Sequence, residues 1–151
     1  MRRLSPFIIL LFFTYISISA QQFNKADIDL QVAKLKEHGL YLQASGLLIK
    51  SGIYFEQHGD TVSALHCQLQ NCNLIDEHLD LFRNNGVTPK IYYSNWYITI
   101  SLMGWLKKQE AIPYFIMMLN KMNGDAPELL PFYSSSLSYL MDNCKYICTY
   151  F

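Results

Sequence analysis

Twice in this chain a glycine is followed five residues later by an alanine, at Gly39-Leu40-Tyr41-Leu42-Gln43-Ala44 and at Gly59-Asp60-Thr61-Val62-Ser63-Ala64. Glycine takes the left-handed conformation that ends a helix, and a small alanine early in the next helix lets that helix approach its predecessor closely. Between such breaks the apolar residues recur at three and four, as in Ile28, Leu30, Val32 and Leu35, then Tyr41, Ala44, Leu47, Leu48, Tyr54 and Phe55. That is helical periodicity. Hairpin signals are poor, because Asn85-Gly86 lies between segments too long and too helical in pattern to be strands. The chain is therefore expected to fold as an all-α domain.

Breaks fall at His38-Gly39, His58-Gly59-Asp60, Asn84-Asn85-Gly86, Lys107-Lys108-Gln109 and Asn123-Gly124-Asp125-Ala126-Pro127. They predict six helices, over residues 24–38, 41–58, 61–83, 89–107, 109–122 and 127–147. Asp60 or Thr61 offers an N-cap, Thr88 caps a helix whose first residue is Pro89, and Pro127 follows Ala126 by the same logic. Pro113 lies near the start of the fifth helix, where its missing N–H costs little, whereas Pro131 moves the start of the sixth towards Leu130. Short connections make neighbouring helices antiparallel.

Residues 1–20 read as a secretory signal peptide to be cut between Ala20 and Gln21. Arg2 and Arg3 precede an apolar run from Pro6 to Ile16 and a small-residue stretch ending at Ala20. The chain carries 12 Lys+Arg and 12 Asp+Glu, and cleavage removes Arg2 and Arg3 alone, leaving residues 21–151 mildly acidic. No basic cluster suggests nucleic acid. The best remaining apolar stretch, Trp96 to Leu106, has 11 residues, short of the roughly 20 a spanning helix needs. No integral span is expected after cleavage, and the mature domain should be periplasmic or secreted. Its four cysteines then meet an oxidising compartment. However, Cys67 and Cys72 are five apart, and Cys144 and Cys148 four apart, so neither pair closes readily within a helix. Free half-buried thiols or bridges between helices are both open, and no zinc-ligand spacing occurs.

The repeated turns resemble those of the tetratricopeptide-repeat family, arrays of stacked antiparallel helix pairs. Gly52, Phe55, Gly59, Asp60 and Ala64 fall where that consensus has its first-helix glycine, its aromatic, its Gly-Asp turn and its second-helix alanine. A later unit keeps Leu102, Ala111, Phe115 and Met118, and an earlier one Gly39, Tyr41 and Ala44. Gln68 and Asn71 stand where the family has an aromatic and an alanine, and the intervals Ala44 to Ala64 to Ala111 are 20 and 47 residues, not a steady repeat. The resemblance spans residues 25–122 and implies a short tetratricopeptide-like α-solenoid over 21–151. First helices of the pairs would line a concave face that binds a protein or peptide.

Carried over residue by residue, the implied partner-binding positions are Lys50, Ile53, Glu56 and Gln57 in one unit and Tyr93, Trp96, Tyr97 and Ile100 in the other. At helical spacing such aromatics are more often simply core, since large apolar side chains are usually inside. Tyr93, Trp96 and Tyr97 exposed together in a groove would favour binding. Their burial among Leu74, Leu102 and Phe115 would favour the alternative, a non-catalytic structural or scaffold segment of a larger cell-envelope protein. The apolar C-terminal residues, including Tyr139, Leu140, Met141, Tyr146, Ile147, Tyr150 and Phe151, are not those of a polar capping helix. They suggest a partner, a second copy of the chain, or a sequence that continues into another domain. Enzyme signatures are missing. His38 and His58 each precede a helix-ending glycine, where a donor side chain complements a helix C-terminus. His66 and His78 lie twelve apart on the helix predicted over 61–83, too far to share an ion, and Asp76, Glu77 and Asp80 beside His78 read as a solvated face. Ser134, Ser135 and Ser136 lack a nucleophile elbow, and no phosphate loop or H-E-x-x-H occurs. No cofactor, metal or catalytic activity is expected.

Overall fold

The computed structural model describes residues 24–106 and 110–134. The expected signal peptide, the Lys107-Lys108-Gln109 break and most of the apolar C-terminal run, with Cys144 and Cys148, lie outside the described residues. Among those described the secondary structure is helical throughout, with no strand. The helices are α1 (Lys25–Glu37), α2 (Tyr41–Gln57), α3 (Thr61–Glu77), α4 (Leu79–Asn84), α5 (Pro89–Trp105) and α6 (Ala111–Asp125). A 3-10 turn, Pro127–Leu129, then leads into helical residues 130–134.

The starts follow side-chain chemistry. Asn24, Asp60 and Thr88 each accept a hydrogen bond from a backbone N–H of the first turn, from Ala26, Ser63 and Ile91 respectively. The ends repeat one motif. At α1 the Gly39 N–H donates to the Lys36 carbonyl and the Leu40 N–H to that of Leu35; Gly59 and Asp60 repeat this after α2, and Gly86 and Val87 after α4. The three glycines have φ of 71°, 76° and 94°. This is the Schellman closure, in which a left-handed residue satisfies carbonyls the helix leaves orphaned. Before two of these glycines a histidine adds a further bond: His38 Nδ1 donates to the Lys34 carbonyl at 2.7 Å and His58 Nδ1 to that of Tyr54 at 2.8 Å. A methyl group at Gly59 would meet nothing within 4 Å, so Gly59→Ala tests the backbone alone. It is expected to cost about 1–2 kcal/mol, read as a lower urea midpoint at unchanged slope.

The helix predicted over 61–83 is two helices. His78 leaves the helical well (φ −130°, ψ 36°) and stacks on Tyr41 of α2, with ring centroids 3.7 Å apart. A contact between two residues far apart in sequence thus accompanies the break in a pattern that is locally continuous. His66 and His78 accordingly do not share a helix. The late start of the last segment agrees with the position of Pro131, since residues 127–129 form the 3-10 turn and α-helical residues begin at 130.

The main helix contacts follow the chain, with α1 on α2, α2 on α3, α3 on α5 and α5 on α6. Ala44, Ala64 and Ala111 are buried, as close approach beside the turns requires. Around them pack Leu48, Phe55, Leu74, Tyr93, Ile100, Phe115 and Met122. A polar seam runs through this core. Asn71 is 0% exposed, its carbonyl oxygen accepts from the Ser45 hydroxyl at 2.6 Å, and at the next residue Cys72 Sγ lies 3.3 Å from Thr99 Oγ1.

Candidate functional site: a groove beside α5

Helix α5 is apolar on two faces. One carries Tyr93, Trp96, Ile100 and Met103, spaced three, four and three apart, and all four are buried. The other carries Ile98, Ser101, Leu102 and Trp105, also at i, i+3, i+4 and i+7, and none of these is buried. Trp105 is 77% exposed. Along this second face runs a groove of about 510 Å³, walled on its far side by Glu56, Gly59 and Thr61 at the turn between α2 and α3. Tyr97 forms its other edge, its ring 6.5 Å from Phe115 and 5.2 Å from Tyr133.

The structure therefore corrects part of the sequence-based set. Tyr93, Trp96 and Ile100 are 1%, 4% and 0% exposed and belong to the core, so they offer no binding surface. Trp96 stacks on Tyr114 of α6 at 5.7 Å. Tyr97 is half-buried at the groove edge, and Glu56 lines the opposite wall. Lys50, Ile53 and Gln57 stand exposed on α2 outside the groove lining. Ile98 and Trp105 were not singled out by the sequence reading. The signal available for them was the second three-and-four series on the same helix.

Polar clasps hold α5 with its core face inward. The buried Tyr92 hydroxyl donates to Asp76 of α3 at 2.5 Å and accepts from Lys121 Nζ of α6 at 2.6 Å, and Lys121 also pairs with Asp76 at 3.3 Å. The Tyr93 hydroxyl donates to Asp125 at 3.0 Å, and Arg83 reaches the same carboxylate at 3.5 Å. Burial, reinforced by the carboxylate each phenol donates to, raises both tyrosines far above the ordinary phenol range. At the other end of the molecule His66 and Gln70 donate to Asp29 at 2.8 and 2.7 Å. Desolvation pushes the Asp29 carboxyl up, but these hydrogen bonds and the neighbouring positive charge outweigh it and leave the group below its usual value.

Among the described residues no three His, Cys, Asp or Glu side chains come together as a metal site, and no helix is long and apolar enough to cross a membrane. Cys67 and Cys72 are free and buried, and burial raises their thiols to about 11 and about 12. The thiolate is the reactive form. In a Cys144→Ser/Cys148→Ser background, a chromogenic disulfide reagent at pH 8 should therefore find no fast thiol in the folded protein and two after denaturation. A thiol reacting before unfolding would contradict the burial. Compared with protein-family models, with curated proteins and with solved structures, the sequence matches none.

Proposed function

We propose that this chain is an exported, non-enzymatic helical-repeat protein, its helix pairs stacked as a short tetratricopeptide-like α-solenoid, that binds a protein or peptide segment in the groove beside α5. The reading rests on one observation: Trp105, the most exposed large apolar side chain described, stands with Ile98 and Leu102 over a groove of about 510 Å³. Aromatic anchors in partly enclosed apolar clefts carry most of the energy at protein interfaces. Glu56 at the rim adds a negative charge that favours a segment with a basic residue beside an apolar one. The sequential packing of α1, α2, α3, α5 and α6 supports a stacked array.

A peptide-display selection on the immobilised protein, counter-selected on Trp105→Ala, tests the proposal. The expected result is a set of apolar peptides whose affinity falls about 30-fold or more with Trp105→Ala, corresponding to a hot spot of about 2 kcal/mol. Recovery only of peptides indifferent to Trp105 would remove the groove as a binding site. A second reading, that the domain is a structural segment of a larger envelope protein, is favoured by the burial of Tyr93, Trp96 and Ile100. On that reading the display yields nothing dependent on Trp105.

A further inference from the structure

The last described residues lie beside α5. Asp125, closing α6, accepts from the Tyr93 hydroxyl; Tyr133 then meets Ser94 Oγ with its hydroxyl at 2.9 Å and sets its ring 5.2 Å from that of Tyr97. Residues 130–134 are α-helical, so after α6 the chain turns back and advances along α5 in the direction of α5 itself. Ahead of it on that helix lie Ser101 and Gly104. Ser94, Tyr97, Ser101 and Gly104 are spaced three, four and three apart and form one row along α5, and Tyr97 and Ser101 both line the groove. With a serine and a glycine at its far end, the row is hollow there.

The sequence beyond Ser134 carries a matching row. Tyr133, Leu137, Leu140, Cys144 and Ile147 are spaced four, three, four and three apart, while Ser135, Ser138, Asp142 and Lys145 fall off that row. In two parallel helices with this seven-residue pattern, equivalent positions face each other. The ring contact of Tyr133 with Tyr97 sets the register: four residues on, Leu137 falls opposite Ser101, and three more bring Leu140 opposite Gly104. Both helices advance about 10 Å over those seven residues, so the match holds. We propose that residues 135–147 of this chain dock on α5 in that register, Leu137 over Ser101 and Leu140 over Gly104, and wall the groove on its Tyr97 side, opposite Glu56, Gly59 and Thr61. At each position a large side chain meets a small one, as close packing of two helices requires. A second copy competes poorly for the same row, because Tyr133 already tethers the segment one turn away and gives it a high effective concentration. The docking stands on this geometry alone; its use as a wall rests on the function proposed for the groove.

Cysteine cross-linking of the full chain tests the register. In a Cys144→Ser/Cys148→Ser background, Ser101→Cys/Leu137→Cys should oxidise under copper phenanthroline to a disulfide within one chain. It should do so about tenfold or more faster than Ser101→Cys/Asp142→Cys, whose second thiol is off the row, because docking raises the effective concentration of the first pair. A second measurement leaves the thiols alone. Ser101→Leu fills the hollow and should lower the urea midpoint, and Ser101→Leu/Leu137→Ser should recover most of that loss, since the exchange conserves volume at one contact. Equal oxidation rates for the two cysteine pairs, a disulfide found only between chains, or losses that simply add in the exchanged variant would overturn the proposal. The second of these results would give the row to another copy of the chain. Peptide selection reads the groove separately: a fast disulfide with no Trp105-dependent peptide would keep the docking and remove the groove function, and Trp105-dependent peptides with no fast disulfide would keep the groove without this wall.

Discussion

Trp96→Ala is expected to destabilise the domain by about 3–5 kcal/mol, whereas Trp105→Ala should leave stability within about 0.5 kcal/mol of the parent. The two tryptophans lie nine residues apart on one helix, and the difference comes from what surrounds them. Trp96 is 4% exposed and stacks on Tyr114, so truncation opens a cavity between α5 and α6. Trp105 is 77% exposed, and truncation returns little surface to water. Since domains of this size are stable by about 5–15 kcal/mol in total, the first variant should approach unfolding at ambient temperature. Urea unfolding followed by circular dichroism measures both. Quenching of fluorescence by iodide provides an independent check, because only Trp105 should be reached in the folded protein. Equal losses from the two substitutions would mean that α5 presents the opposite face to the core. The same contrast governs how binding data are read: lost binding in Trp96→Ala would report unfolding, and only Trp105→Ala with retained helicity implicates the groove.

The contrast also marks where the sequence stopped being informative. Helix ends were legible because their causes are local. Gly39, Gly59 and Gly86 need positive φ, Thr88 precedes Pro89, and His38 and His58 reach carbonyls four residues back. The buried alanines beside two of those turns were legible for the same reason. The core face of α5 was not, because the helix carries two apolar series and periodicity alone cannot choose between them. Distant partners make the choice. Tyr92 finds Asp76 and Lys121, Tyr93 finds Asp125, and these bonds turn the Tyr93–Trp96–Ile100 series inward and leave Ile98 and Trp105 out. The break at His78 was hidden for a related reason, since the ring that stacks on it belongs to Tyr41, at the far end of the preceding helix. Where one residue's neighbours in sequence decide its conformation, the chain could be read; where a residue dozens of positions away decides it, the fold had to be seen.

Asn71 is the position at which such a distant decision should be most costly to disturb. It is 0% exposed, and its oxygen accepts from Ser45 across the contact between α2 and α3. An Asn71→Asp substitution keeps the shape and places a carboxylate there with one hydroxyl for a donor. Burial without a compensating positive charge raises the folded-state pKa well above the unfolded value of about 3.9. For an acid with a raised folded pKa the sign is fixed: no charge penalty below the unfolded pKa, a growing one as pH rises, and the full penalty above the folded pKa. Keeping the buried group neutral costs about 1.4 kcal/mol per pH unit above 3.9, so at pH 7 the variant should be about 4 kcal/mol less stable than the parent. At pH 4 the gap should shrink to about 1 kcal/mol, the scale of one altered hydrogen bond. Urea midpoints for the pair, taken in parallel from pH 4 to pH 8, give the difference directly and cancel the titration of every other group. A gap that stays flat across that range would mean that water reaches residue 71, and the polar seam between α2 and α3 would then be an open cleft and not part of the core.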